Sequence, residues 1–214
     1  MVTITELVDS GSNTGSNANT AAPALASTVT LTPVNDPPVI GGIPAGENND
    51  VVAGAGFQNL DGFDDATVTN PDSGDYSGGS LRIAYTGGGN AFDVSFGLDG
   101  TTAQAIDPFT GFPVGNGIVI NAAIEVNDGG GFVEIGTVSA TEAGQGGNDL
   151  VITFNAASTN ARVQILLRAL TADVSSGLTT RDYLLTLNDG DADGAPDDAT
   201  ASFTIDVTGT PTRR

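Results

Sequence analysis

Hydrophobic and polar residues alternate with period two along most of the chain. Val29 and Leu31 are interleaved with Thr28, Thr30 and Thr32, the pattern of a half-buried strand that stops at Pro33. Val2 to Val8 alternates well enough for a strand, and Ser27 to Thr32 reads as its return across a polar Gly/Ser/Asn loop, Asp9 to Asn19. The same reading predicts strands at Val51–Leu60, Ala66–Thr69, Leu81–Tyr85, Phe92–Leu98, Gly117–Ile120, Ile124–Val126, Phe132–Val138 and Leu150–Phe154, each bounded by Gly, Asn, Asp or Pro. Tyr183–Leu187 and Ser202–Val207 form a last hairpin around an acidic loop, so a similar hairpin stands at each end of the chain. Helical spacing occurs once: Val163, Leu166, Leu167 and Leu170 recur behind an N-cap at Ser158 or Thr159, which predicts a helix packed over one open end of the strands. Short, evenly spaced strands with polar turns predict an all-β sandwich with one short helix and an N-terminal β-hairpin arm.

Between the arm and the sandwich lies Val34-Asn35-Asp36-Pro37-Pro38. The two prolines fix their own φ angles and hold the preceding residues out of the helical region. Asn35 and Asp36 therefore offer oxygen-bearing side chains on a stiff segment, either as hard-cation ligands at a joint or as part of a plain proline-rich turn. The segmentation is an arm and linker over residues 1–38, a sandwich over 39–208 and a tail over 209–214.

The densest chemistry is Asp189-Gly190-Asp191-Ala192-Asp193-Gly194. Carboxylates at alternate positions followed by Gly can wrap one hard cation, and Asp197 falls where a further ligand or bridging water is expected. Thr200 stands at the twelfth position instead of a bidentate Glu, and no helices flank the loop, so a calcium loop joining two strands is expected rather than an EF-hand. The competing reading is a solvated acidic turn. Asn127 and Asp128 make a third candidate cluster, but Asn127-Asp128-Gly129-Gly130 is also what a tight turn needs, and the turn is the expectation.

The joint, with its Thr-rich strand and Val-Asn-Asp-Pro-Pro, resembles the linker that closes each repeat in bacterial cadherin-like (immunoglobulin-like) tandem arrays of large calcium-dependent surface adhesins. Gly146 to Asn155 is similar to a late strand of those repeats, Ala161 to Leu170 to their short helical turn, and Arg181 to Gly190 to their penultimate strand. The resemblance implies an immunoglobulin/cadherin-like sandwich, an extracellular or cell-surface location on a prokaryote, and calcium as cofactor. It also implies a second acidic loop at Asn70, Asp72 and Asp75, with Asn70 standing where the family usually has Asp; Asp61, Asp64 and Asp65 are expected nearby.

Composition narrows the function. The 26 acidic residues against 6 basic ones, all Arg, give a formal net charge of −20. Such a chain repels nucleic acid and anionic membranes and attracts divalent cations. It has neither Cys nor His, so disulfides, thiol chemistry and His-based triads are excluded. It also lacks Lys, and no apolar run is long enough for a membrane helix. No signal peptide is visible at Met1, which fits a mature or excised segment, or export by a signal elsewhere. Glycine-rich runs lack the Lys and helix of a phosphate loop. Glu125 and Glu134 are the conceivable catalytic carboxylates but fit the wet face of adjacent strands better.

The expected function is non-catalytic: a link in a surface filament or adhesin array whose partners are copies of itself or neighbouring repeats. Val2, Ile4, Val29 and Leu31 would be buried against the next subunit by β-strand addition. The alternative is a calcium-dependent carbohydrate-binding module that uses Phe109 and Phe112 to bind a glycan; the plainer role for those rings is to plug their loop onto the sandwich.

Overall fold

The computed structural model describes residues 35–190 and 198–208. The N-terminal arm, with Val2, Ile4, Val29 and Leu31, lies outside the described residues, as do Asp191, Asp193 and Asp197 and the tail from 209 onward. Within the described part the chain is an all-β sandwich with one α-helix.

Thirteen strands follow in order: β1 Val39–Gly41, β2 Glu47–Val52, β3 Gln58–Asn59, β4 Thr67–Thr69, β5 Ser80–Gly88, β6 Val94–Leu98, β7 Ala103–Ile106, β8 Ala123–Asn127, β9 Phe132–Ala143, β10 Leu150–Phe154, β11 Leu170–Val174, β12 Arg181–Asn188 and β13 Asp198–Thr208. Helix α1, Asn160–Arg168, sits between β10 and β11. The main sheet has eight strands in the order β2-β13-β12-β5-β10-β9-β8-β7; it is antiparallel except where β2 joins β13 in parallel. A three-stranded sheet, β3-β11-β6, and the pair β1-β4 complete the layers.

Alternation is cleanest in β12 and in β13 from Ala201 to Val207, where every second residue is buried, including Tyr183, Leu185 and Leu187, then Phe203, Ile205 and Val207. Phe96 of the small sheet stands edge-on to Tyr183 with ring centroids 5.0 Å apart, and Tyr183 stacks on Phe203 at 5.5 Å. Phe63, from a 3-10 turn, closes the group against Phe203 at 5.1 Å. Helix α1 buries Val163, Leu166 and Leu167 and packs on β4 and β8, whereas Leu170, the fourth residue of the predicted stripe, lies beyond the helix and opens β11. Thr159 is its N-cap, without a side-chain capping bond.

Several boundaries differ from the sequence reading. The expected strand Val51–Leu60 is two: β2 starts earlier, at Glu47, and the chain turns at Gly54 and Gly56, both at positive φ, before β3. Phe92 belongs to a 3-10 turn capped by Asn90, and the strand begins at Val94. Gly117–Ile120 is not a strand; Gly117 makes a single bridge to Gly97. The sequence reading missed β1, β7 and β11: all three are short, and β11 follows directly on the helical stripe, which shares Leu170 with it.

Most sheet edges are covered. Beside β7, Val114 N donates to Ala105 O at 2.9 Å; beside β6, Phe96 N and Leu98 N donate to Gly144 O and Asn116 O at 2.8 and 2.9 Å. At β2 the side chain of Gln58 imitates a strand: its Oε1 accepts from Val52 N at 3.1 Å and its Nε2 donates to Val52 O at 2.9 Å. Backbone alternation turns Asn48 and Asp50 outward on the same side as Val52.

Arg181 is fully buried and ties two loops together. Its guanidinium donates to Asn90 O, Thr179 O and Ser176 O at 2.9, 2.7 and 3.0 Å and faces Asp93 at 3.6 Å.

Phe203→Ala, at the centre of the aromatic group, is expected to destabilise the sandwich by about 3–5 kcal/mol through lost burial and the cavity left behind. Urea unfolding followed by tyrosine fluorescence measures it; a cost below about 1 kcal/mol would mean that the rings do not hold the sheets together.

Candidate functional site

The acidic groups come together where the chain enters the sandwich. β12 ends at Asn188, paired with Asp198 of β13, and Asp189 follows at once, almost wholly buried. Asn35, also buried, donates through Nδ2 to Asp189 Oδ1 at 3.5 Å. Next to it, Asp36 N donates to Asp72 Oδ2. Two hydrogen bonds thus clasp the incoming segment to two acidic loops that are far away in sequence.

The loop 70–77 is built to hold this shape. Asn70 Oδ1 accepts from Asp72 N and Ser73 N at 3.2 and 3.3 Å, and its Nδ2 donates to Asp75 O at 3.4 Å. Asn70 therefore serves as the loop's staple, with its carboxamide oxygen already engaged. Asp75 Oδ1 caps the next turn by accepting from Ser77 N at 3.0 Å. Tyr76 is buried beneath the loop and donates to Asn160 Oδ1 at 2.9 Å, while Asn70 N donates to the same atom at 2.8 Å. Burial pushes the Tyr76 hydroxyl pKa up, and the Asp189 charge adds to the shift.

Gly190, at φ +86°, presses on the Ser77–Gly79 backbone, and a Cβ there would overlap Gly79 N and Ser77 O. Sequence reading did not assign Tyr76, Asn160 or this contact to the site. The adjacent glycines Gly78-Gly79 were the available signal of a close backbone approach.

Among the described residues, no group of three or more Asp or Glu side chains is gathered tightly enough to hold a metal ion. The clasp places two carboxylate oxygens, Asp189 Oδ1 and Asp72 Oδ2, and Asn35 and Asp36 bind them through nitrogen. Asp65 lies elsewhere, near enough to Glu47 to act on its charge.

Asn127-Asp128 is a turn, as its sequence predicts: Asn127 Oδ1 accepts from Gly129 N and Gly131 N, and Asp128 pairs with Arg162 at 2.8 Å. Glu125 and Glu134 face each other across β8 and β9, and Glu134 is exposed. The loop Asp107–Pro113 departs from the expectation that its rings plug it down: Phe109 and Phe112 are both exposed.

The fold and site define an all-β sandwich with an acidic clasp on its incoming segment. No protein-family model matches the chain, and no curated protein does. Among solved structures it is similar to the N-terminal domain of PorA, at 13% identity and a TM-score of 0.27, over 81% of this chain and 99% of that one. A likeness at that score carries no argument about function. Among the described residues, no helix is long and apolar enough to cross a membrane.

Glu47 supplies a pH prediction. Its Oε2 is buried and takes no hydrogen bond among the described residues, and a Cβ at Gly62 would overlap its carboxylate. Desolvation raises its pKa above the usual carboxylate value, and Asp65 adds to the effect. A carboxyl raised on folding binds its proton more tightly in the folded state, so stability falls as pH rises through the window between its unfolded and folded values. Glu47→Gln is therefore expected to raise the urea midpoint at pH 7 and to have no such benefit at pH 3. An equal effect at both pH values would show that the charge is not the cause.

Proposed function

We propose that the chain is a non-catalytic, calcium-rigidified link of an extracellular surface filament or adhesin array, joined head to tail to copies of itself or to neighbouring repeats. The carrying observation is the polarity of the sandwich. Asn35 is fastened beside Asp189, at the end of the sheet where β12 stops and β13 starts. β13 then runs 11 residues to Thr208, past the far end of β12, where Arg181 pairs with Ile205. At about 3.3 Å per residue the strand carries the chain roughly 33 Å from the end at which it came in. A domain entered at one pole and left at the other transmits tension along its strands and stacks in line without doubling back.

The acidic clasp at the incoming pole fits the stiffening role. A cation there would neutralise Asp72 and Asp189 and lock the proline-bearing segment to the sheet. Strand addition by the N-terminal arm has a matching acceptor in the outward backbone of Asn48 and Asp50 on β2, next to the Gln58 side chain that already imitates a strand. A head-to-tail contact of this kind does not close on itself and makes a filament.

Calcium removal is the first test. A ligand bound by the folded state alone, at a hundredfold excess over its dissociation constant, adds about 2.7 kcal/mol. Excess chelator should therefore lower the melting temperature by several degrees, and Asp72→Ala with Asp189→Ala should abolish most of that calcium response. An unchanged melting curve in chelator would remove calcium from the proposal.

Assembly is the second test. Deleting residues 1–33 is expected to leave a folded, calcium-responsive monomer that no longer forms threads in electron micrographs. Unfolding of the truncated chain would assign the arm to its own domain, and a full-length chain that stays monomeric at high concentration with calcium would end the filament reading.

A further inference from the structure

Phe109 and Phe112 occupy the tip of a hairpin that leaves β7 at Ile106 and returns at Pro113, a residue bridged to Ile106. Phe109 is 89% exposed and Phe112 is 71% exposed. The loop that carries them is nonetheless tightly determined. Asp107 Oδ1 accepts from Phe109 N at 2.7 Å and Thr110 N at 3.2 Å. Asp107 O accepts from Gly111 N at 2.8 Å, and Asp107 N donates to Phe112 O at 3.0 Å. Phe112 N donates to Thr110 Oγ1 at 3.4 Å. Pro108 fixes one φ, and Gly111 takes the positive φ, +71°, that the turn requires. Such a loop has already lost the backbone freedom that a ligand would otherwise have to remove.

From this geometry we infer that the loop is a binding site for an uncharged oligosaccharide, with Phe109 and Phe112 stacking on the apolar C–H faces of its sugar rings. Size and charge select this occupant. Two phenyl groups offer roughly 300–500 Å², well short of the roughly 800 Å² per partner that a stable protein interface needs. The chain carries a formal net charge of −20. The same charge, with Asp107 at the base of the loop, opposes anionic glycans and anionic lipid. A neutral sugar ring matches the face of one phenyl group and has no charge to desolvate. Its hydroxyls would meet Asp107 Oδ2, which accepts no hydrogen bond among the described residues, and the Thr110 hydroxyl. This inference stands apart from the calcium and filament reading, since it uses none of the residues of the acidic clasp.

The test is titration calorimetry of the full chain with cellohexaose, chitohexaose, xylohexaose and mannohexaose, in calcium and in chelator at a temperature where both forms are folded. At least one neutral hexamer is expected to bind, and Phe109→Ala and Phe112→Ala each to weaken it about tenfold or more with an unchanged melting temperature. Phe112→Leu keeps the apolar bulk but removes the flat ring; it is expected to lose the same affinity. Failure of all four sugars at millimolar concentration overturns the proposal, as does full affinity in Phe112→Leu. Two further results would assign the rings to other partners and overturn it: loss of self-association in Phe109→Ala by sedimentation, or Phe109-dependent binding to phosphatidylcholine vesicles.

Discussion

An eight-stranded sheet with one apolar face has to have that face covered, and the rest of this structure follows from how the covering is done. The small sheet β3-β11-β6 has too few strands to match the large one. It covers the centre, where Phe96 meets Tyr183 and Phe203. Helix α1, the 3-10 turn that carries Phe63 and the β1-β4 pair cover the remainder. Each is a local solution to the same problem, namely keeping water from the inner side chains of β12, β13, β5 and β10. The aromatic group counts for more than its size because it joins four separate elements, β6, β12, β13 and the 3-10 turn, by direct ring contact.

Coverage also decides where polar chemistry can collect. The inner face has room for few charges, and Arg181 is the fully buried exception, with backbone carbonyls and Asp93 around its guanidinium. Acidic residues are left to outward-facing strand positions, such as Glu125, Glu134 and Asp206, and to strand ends and loops. At the end where the chain comes in, Asn35, Asp36, Asp72 and Asp189 are held by a frame of Asn70, Tyr76 and Asn160. The opposite end is organised by the neutralised guanidinium of Arg181. The two poles therefore differ in chemistry: one is an acidic clasp, the other a pair of loops fastened around a cation.

Much of this was legible in the residues. Alternation in β5, β8, β9, β10, β12 and β13 marks a two-layered β-domain, because each strand has one wet and one dry face and the side-chain period is two. The helix was legible from Val163, Leu166 and Leu167 at a spacing that only a helix brings onto one side. The Asn-Asp-Gly-Gly turn was legible because its side chains bond their own backbone, an interaction within a few residues. What these share is range: each is decided by neighbours in sequence.

Longer-range features had to wait for the tertiary structure. β11 alternates as Leu170, Ala172 and Val174, but it starts two residues after the helix, with Leu170 also at helical spacing from Leu166 and Leu167, and β1 and β7 are too short to show a period. Asn35 and Asp189 are 154 residues apart, and no local pattern says that a proline-bearing linker and an acidic turn share one end of a sheet. The same holds for Asn70, whose side chain reads as a ligand in sequence and acts as a staple once Asp72 and Ser73 fold over it. It holds again for Phe109 and Phe112: apolar character predicts burial, and only the packed hairpin shows that Asp107 holds the rings in water. The sequence by itself determined the class of fold and the supply of hard oxygen ligands, because hydrophobic period and composition are local. The tertiary structure alone decided which of those groups meet and which rings stay exposed, because strand order sets contacts between residues that the sequence keeps far apart.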